Sequence, residues 1–291
     1  MAPVSPTAAR WEIVAWLRAR REEHGFTGPA IAKELQFTST YWSKVENDKK
    51  LLVSEKFEHL LDMLEFPEDE QEYLRSLRQA AVGTGWWSQY NKIFSPQSIN
   101  WFGLEFGAEE VRSYESLLIP GLLQTEAYAR SLVEADQIGI PAKEVQRRVA
   151  LRMKRQERLF DDDPLRLVAV MSQAAIEQQI GGPRVLREQL LRIARALKDH
   201  PDTIDIRVVP FTSRTGPIIG GCTFHILDFP SSKLGPLAWY EWSLASSIIE
   251  DPDKIFDLDR LFQHVQNQAL DRADSLALIE ESAGKLDKLD E

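Results

Sequence analysis

The chain has a single cysteine, Cys222, so no intramolecular disulfide can form and a cystine-stapled fold is excluded. A lone thiol also suits a reducing, cytoplasmic setting. The five histidines, His24, His59, His200, His225 and His264, are scattered. No pair sits at i, i+4 around a carboxylate, the spacing that turns two imidazoles toward one ion. Neither a metal nor another cofactor is expected. No apolar run approaches the roughly 20 residues a membrane helix needs. Residues 1–10 lack the basic patch and apolar run of a signal peptide, so the expectation is a soluble cytoplasmic protein without membrane contact. A Gly-x-Ser-x-Gly elbow and a phosphate loop ending in Lys-Ser/Thr are missing too, and no catalytic residue is assigned. Positive charge is also in short supply. With 35 Lys+Arg against 45 Asp+Glu, the net charge of −10 argues against coating nucleic acid by bulk electrostatics.

What is present suits two domains. The length, 291 residues, exceeds one minimal domain, and 43% hydrophobic residues suffice for packed cores. The charge is unevenly placed. Residues 1–60 carry nine Lys/Arg and eight Asp/Glu, while the remainder carries 26 and 37. A DNA reader fits the first part only if its few cations share a face. The acidic remainder repels DNA, attracts a basic partner or simply keeps the protein soluble.

Capping residues and periodicity predict five short helices within residues 1–82. Thr7 opens the first (7–24), which Gly25 ends. Thr27 caps a second over 27–35, with Gly28 and Pro29 in its first turn. Thr38 or Ser39 caps a third over 39–46. Ser54 caps a fourth, and Pro67 opens a fifth. Residues 83–104, with Gly85, Trp86, Trp87 and Pro96, read as an aromatic-rich connection that docks on a neighbour. Beyond it, 105–116, 121–136 and 141–160 read as helices. The runs 165–171, 204–211, 222–229 and 237–242 read as strands, with helices at 184–199 and 253–273. The expected fold class is α+β: an all-α domain, a helical region, then a mainly antiparallel sheet with helices outside it, over 105–283. A charged tail over 284–291 is expected to fray.

Two short helices joined by a three-residue turn match a helix-turn-helix. Trp42 and Val45, three apart, face the core. Ser39, Thr40 and Tyr41 are then left to reach base edges in the major groove, with Ser43 and Lys44 touching bases or phosphates. Thr27 and Gly28 can offer backbone N–H groups to a phosphate, and Thr38 and Asn47, which flank the reading helix, are also DNA-binding candidates. Lys49, Lys50 and Arg18 or Arg21 are further phosphate candidates. Spacing alone fits equally a polar helix in a bundle built for packing or dimerisation.

Resemblance adds to this. Leu17…Arg21-Glu22…Gly25-Phe26-Thr27…Ile31-Ala32…Leu35…Thr38…Ser43-Lys44-Val45-Glu46-Asn47 resembles the Xre-type, lambda-repressor-like helix-turn-helix. Three positions depart from that pattern. Gly28 stands where a phosphate-holding Gln is usual, Gln36 replaces the turn glycine, and bulky Trp42 replaces a small apolar residue. Further on, Gly85-Trp86-Trp87, Tyr114-Glu115, Ile119-Pro120-Gly121-Leu122-Leu123-Gln124-Thr125-Glu126, Tyr128-Ala129-Arg130, Arg147-Arg148…Arg152…Arg155-Gln156, Gly181-Gly182-Pro183 and Val209-Pro210-Phe211 occur in order. Together they resemble actinobacterial WhiJ-like, antitoxin-like regulators. The resemblance implies control of development or specialised metabolism, and a small companion protein encoded nearby that modulates DNA binding.

Trp86, Trp87, Tyr114, Gln124, Thr125 and Glu126 are the candidates for contact with that partner or an effector. For the last three, a buried turn and helix cap is the competing reading. The Arg-rich stretch 147–158 suits intramolecular salt bridges or an acidic partner surface better than a DNA stripe. The leading function is thus a repressor that binds a double-stranded operator as a homodimer. An antitoxin-like module that sequesters a partner and autoregulates is the alternative, and an enzyme with an accessory DNA-binding domain comes third.

Overall fold

A computed structural model describes residues 2–47, 50–135, 140–214, 223–242 and 245–287. Five helices form the N-terminal part: α1 (Pro6–Glu23), α2 (Gly28–Glu34), α3 (Ser39–Glu46), α4 (Ser54–Met63) and α5 (Glu68–Ala81). They enclose one core of buried residues that includes Ile13, Leu17, Ile31, Leu35, Trp42, Val45, Phe57 and Leu74. Three of these helices end the same way. The N–H groups of Phe26, Phe37 and Phe66 bond back to the carbonyls of Arg21, Ala32 and Leu61, and the residue before each phenylalanine takes positive φ. Gly25 suits that conformation. Gln36 and Glu65 hold it at φ 59° and 53°, a strain of about 1 kcal/mol each that the packed phenylalanines offset.

Two caps differ from expectation. The α1 N-cap is Ser5, whose Oγ accepts from Ala8 N, so Thr7 lies inside the helix and is buried. Val53, not Ser54, precedes α4, and no side chain caps it.

The C-terminal part comprises α6 (Pro96–Gly107), β1 (Glu110–Glu115), α7 (Glu126–Ala135), α8 (Ala142–Gln156), β2 (Arg166–Ser172), α9 (Gln173–Glu177), α10 (Pro183–Asp199), β3 (Ile204–Val209), β4 (Phe224–Asp228), β5 (Leu237–Trp242), β6 (Ala245–Ile249), α11 (Pro252–Gln268) and α12 (Arg272–Asp287). The strands form one sheet in the order β3-β2-β1-β4-β5-β6. β1, β2 and β3 pair in parallel through helical crossovers, whereas β1–β4, β4–β5 and β5–β6 pair antiparallel. The class is α+β, with antiparallel pairings in the majority. One sheet face packs Leu167, Ala169, Met171, Ile206 and Trp239 against α6, α10 and α12; the other packs Tyr114, Val168, Val170 and Phe224 against α11.

Three segments correct the sequence reading. The stretch 105–116 is not a helix but the end of α6 followed by β1. The helix sits earlier, inside the supposed connection, because Ile99, Trp101, Phe102 and Leu104 bury it on several sides and leave little amphipathic stripe to read. The single helix expected over 253–273 is two. Leu270 N bonds to Val208 O, and Asp271 Oδ1 accepts from Asp274 N to start α12 afresh. The expected tail is helical to Asp287: Ile279, Ala283 and Leu286 are buried, and Asp287 lies 2.9 Å from Arg187.

The two parts share α1. One side of it carries Ala9, Ile13 and Leu17 into the N-terminal core, while Ala8 and Trp11 pack on the C-terminal core. α6 crosses α1 closely. A Cβ on Gly103 would stand 2.3 Å from Thr7 Oγ1 and 2.6 Å from Thr7 Cβ, and one on Gly107 would stand 2.8 Å from Ser5 Cβ. Glycine is therefore obligatory where these backbones meet. Ser5 Oγ donates to Gly103 O, and buried Glu12 accepts from both Tyr73 Oη (2.7 Å) and Ser231 Oγ (2.6 Å).

Candidate nucleic-acid interface and a polar cavity

α2 and α3 are short, and their caps define them. Thr27 Oγ1 accepts from Ala30 N (3.3 Å), and Thr38 Oγ1 accepts from Tyr41 N (3.1 Å). Trp42 and Val45 turn inward and are buried; Ser39, Thr40, Ser43 and Lys44 are exposed on one side of α3. Tyr41 is half-buried. Its ring stacks on Phe37 at 4.1 Å, and Lys50 Nζ stands 4.1 Å above it. Asn47 Nδ2 donates to Ser43 O (2.6 Å), which closes the end of α3. Lys49 lies outside the described residues.

Arg18 and Arg21 are both engaged within the domain, Arg18 with its side chain 43% exposed. Arg18 donates to Glu46 O (3.1 Å); Arg21 donates to Phe26 O (2.9 Å) and pairs with Glu46 (3.0 Å). Both hold α1 to the end of α3.

Two of the unusual positions explain each other. A Cβ on Gly28 would stand 3.2 Å from Cδ1 and 3.3 Å from Nε1 of Trp42, so the bulky indole of α3 needs the missing side chain of α2. The buried Trp42 Nε1 has no hydrogen-bond partner among the described residues. Gly28→Ala is expected to displace the indole by a few tenths of an ångström. Its cost, about 1 kcal/mol, should largely vanish in a Trp42→Leu background. A double-mutant cycle by urea denaturation measures that coupling, and strictly additive costs would refute the pairing.

The partner and effector candidates separate. Trp87 is buried against Phe106, with Trp86 edge-on beside it. Tyr114 is fully buried on the α11 face of the sheet. These residues pack, and Tyr114 cannot meet a partner without unfolding. Thr125 Oγ1 accepts from Tyr128 N and so caps α7, while exposed Glu126 pairs with Arg130 (2.8 Å). Of the six, Glu126 borders an open cavity of about 380 Å³, and Gln124 lines a separate, less open one of about 480 Å³.

That cavity lies at the C-terminal end of β1, where the strand order reverses, the usual place for a ligand crevice in open sheets. Glu115 ends β1, and Thr223, just before β4, and His225, within it, lie beside it. Trp101 from α6 and Trp239 from β5 form a stacked wall, ring centroids 5.4 Å apart and 18° from parallel. α8 supplies Arg148, Arg152 and Arg155. Its arginines dock the helix onto its surroundings: Arg147 donates to Gln89 O, Arg148 to Ile93 O and Glu144, and Arg155 to both oxygens of Glu105 (2.7 and 2.6 Å). Burial works against the charge on Arg155, and Glu105 more than reverses this, leaving its pKa above the ordinary value.

Arg152 is different. It donates to the neutral Gln124 Oε1 (2.8 Å), and among the described residues no carboxylate stands within ion-pair reach of it. Burial, then the neighbouring Arg155, pulls its pKa down to about 10. Burial also pushes Glu115 up to about 8, against a hydrogen bond from Thr223 (3.3 Å). His225, 4.0 Å from Glu115, is pushed down to about 3 by burial and then by Arg155. Near pH 7 the Glu115–His225 contact is therefore predominantly between neutral groups, and the charge facing the cavity from α8 is cationic.

The sequence alone presents Arg152 and Arg155 as motif residues and does not connect them with Glu105, Glu115, Trp101, His225 or Trp239. The one available signal is unusual content: an Arg-rich helix whose arginines fall on several faces must turn some of them inward.

The α2–α3 arrangement and the second, separately cored part define a two-domain DNA-binding regulator of the helix-turn-helix class. Residues 12–74 match the family model described as "Helix-turn-helix domain". Residues 101–281 match the model described as "Domain of unknown function (DUF5753)", and the chain belongs to that family. No curated protein and no solved structure matches the chain. Among the described residues, no helix is long and apolar enough to cross a membrane.

Proposed function

We propose that the protein is a transcriptional repressor, not an enzyme, that binds a double-stranded operator as a homodimer through α3. The exposed row Ser39, Thr40, Ser43 and Lys44, on a capped helix whose other side is locked by Trp42 and Val45, carries this reading. Two-fold sites compensate for the limited specificity of one short helix. The motif resemblance supports an actinobacterial, WhiJ-like role in development or specialised metabolism. It also supports a small companion protein as the C-terminal partner that alters affinity for DNA.

Ser39→Ala and Thr40→Ala are expected to reduce discrimination between operator and random DNA, by up to about 1–3 kcal/mol for each base-edge hydrogen bond removed. Tyr41→Phe tests the hydroxyl while keeping the Phe37 stack. Lys44→Ala and Lys50→Ala should instead weaken all DNA alike and lower the slope of log K against log salt by about one per phosphate neutralised. Fluorescence polarisation on the gene's own upstream DNA, at two salt concentrations, reads both effects. Identical behaviour of the two sets would show that α3 does not enter the groove.

A further inference from the structure

We propose that the cavity at the end of β1 binds a small aromatic monocarboxylate, whose acid group pairs with Arg152 and whose ring lies against Trp101 and Trp239. Three observations converge. The volume, about 480 Å³, falls in the range of small-molecule sites. A stacked tryptophan pair and the side chains of Phe102 and Leu151 give it a flat apolar wall. Arg152 is a largely buried cation in this wall whose one hydrogen bond among the described residues goes to an amide oxygen, a costly state that an incoming carboxylate relieves.

The charge count selects one negative charge rather than two. Arg155 is already neutralised by Glu105, Arg148 pairs with Glu144 at 3.2 Å, and Glu241 at the mouth acts on Arg152 only through space. A phosphate dianion would find a single uncommitted cation. Glu115, protonated when buried here, can donate a hydrogen bond to a ring substituent.

The site is also placed to act on the rest of the molecule. Trp101 and Phe102 belong to α6, and Gly103 of the same turn touches Thr7 of α1. A ring that wedges the tryptophan wall pushes on the α6–α1 seam, and α1 holds α3 through Arg18 and Arg21. This regulatory consequence rests on the DNA-binding reading; ligand binding itself does not.

The test uses the full-length protein without DNA, with 1-naphthoate, indole-3-acetate and the uncharged 1-naphthamide as probes. Isothermal titration and tryptophan quenching should show one site per chain for a carboxylate, with the matched amide about tenfold weaker or worse. Arg152→Met should erase that preference with its circular dichroism unchanged, and Arg152→Lys should restore part of it. If Arg152→Met does not fold, Trp239→Phe decides instead, since it must remove much of the quenching. Equal binding of acid and amide, quenching unchanged in Trp239→Phe, or no binding by any probe at millimolar concentration would overturn the proposal. Operator polarisation with and without the bound acid then tests the coupling separately. A site that fills without changing DNA affinity refutes only the relay through α6 and α1.

Discussion

Arg155→Ala is expected to destabilise the folded chain by about 3–5 kcal/mol. Its guanidinium holds both oxygens of Glu105, at 2.7 and 2.6 Å, and the two side chains are only 15% and 5% exposed. Truncation leaves the largely buried Glu105 carboxylate without the guanidinium that both of its oxygens bond, facing only the cavity that Arg155 lines. The penalty is mainly that of an unpaired buried charge, not the net worth of the pair. The control follows from this logic. Arg155→Met combined with Glu105→Gln removes both charges and should cost clearly less than Arg155→Ala alone. Guanidinium midpoints of the three proteins check the order. Natural domains have about 5–15 kcal/mol in total, so the single variant should be visibly impaired. A loss below about 1 kcal/mol would mean that solvent already screens the pair.

The second large effect is a stability profile shaped by Glu115 and His225. Glu115 has a folded pKa of about 8 against an ordinary 4.5, so its contribution is fully present below 4.5 and is lost as pH rises through 8. His225 has a folded pKa of about 3 against 6.5, so its contribution is present above 6.5 and is lost as pH falls toward 3. Between 4.5 and 6.5 the slopes oppose each other. The pair alone thus yields a plateau at pH 4.5–6.5, with decline on either side. From pH 6.5 to 8 the Glu115 limb amounts to about 2 kcal/mol, at about 1.4 kcal/mol per pH unit. Urea midpoints should fall over that interval in the wild type and stay nearly level in Glu115→Gln. An equally steep decline in the variant would assign it to other groups.

The N-terminal helices were legible because their determinants are local. Thr27 and Thr38 cap the next turn, Gly25 stops α1, and Trp42 with Val45 sets the inner side of α3. Such signals span a few residues and survive in the linear text. α6 and β1 were not legible, because burial on several sides erases the amphipathic period and the β1 partners lie far along the chain, at Arg166 and Asp228. The cavity was hidden for the same reason. Arg152 reads as one more arginine in a charged helix until β1, β4 and α6 close around it. The three departures from the helix-turn-helix pattern were visible, but only three dimensions show that Gly28 and Trp42 are one compensated change.

The sharing of α1 between two cores bears on how such proteins diversify. A DNA-reading head exchanged between relatives as a cassette, cut at the boundary the sequence suggests, would take Ser5, Thr7 and Ala8 away from the α6 glycines they fit. It would also take Glu12 away from Ser231. A productive graft must carry the α6 surface with it or restore these small-residue matches. Operator preference should therefore change mainly by point substitution on the outer face of α3, while the α1–α6 joint is inherited as a unit.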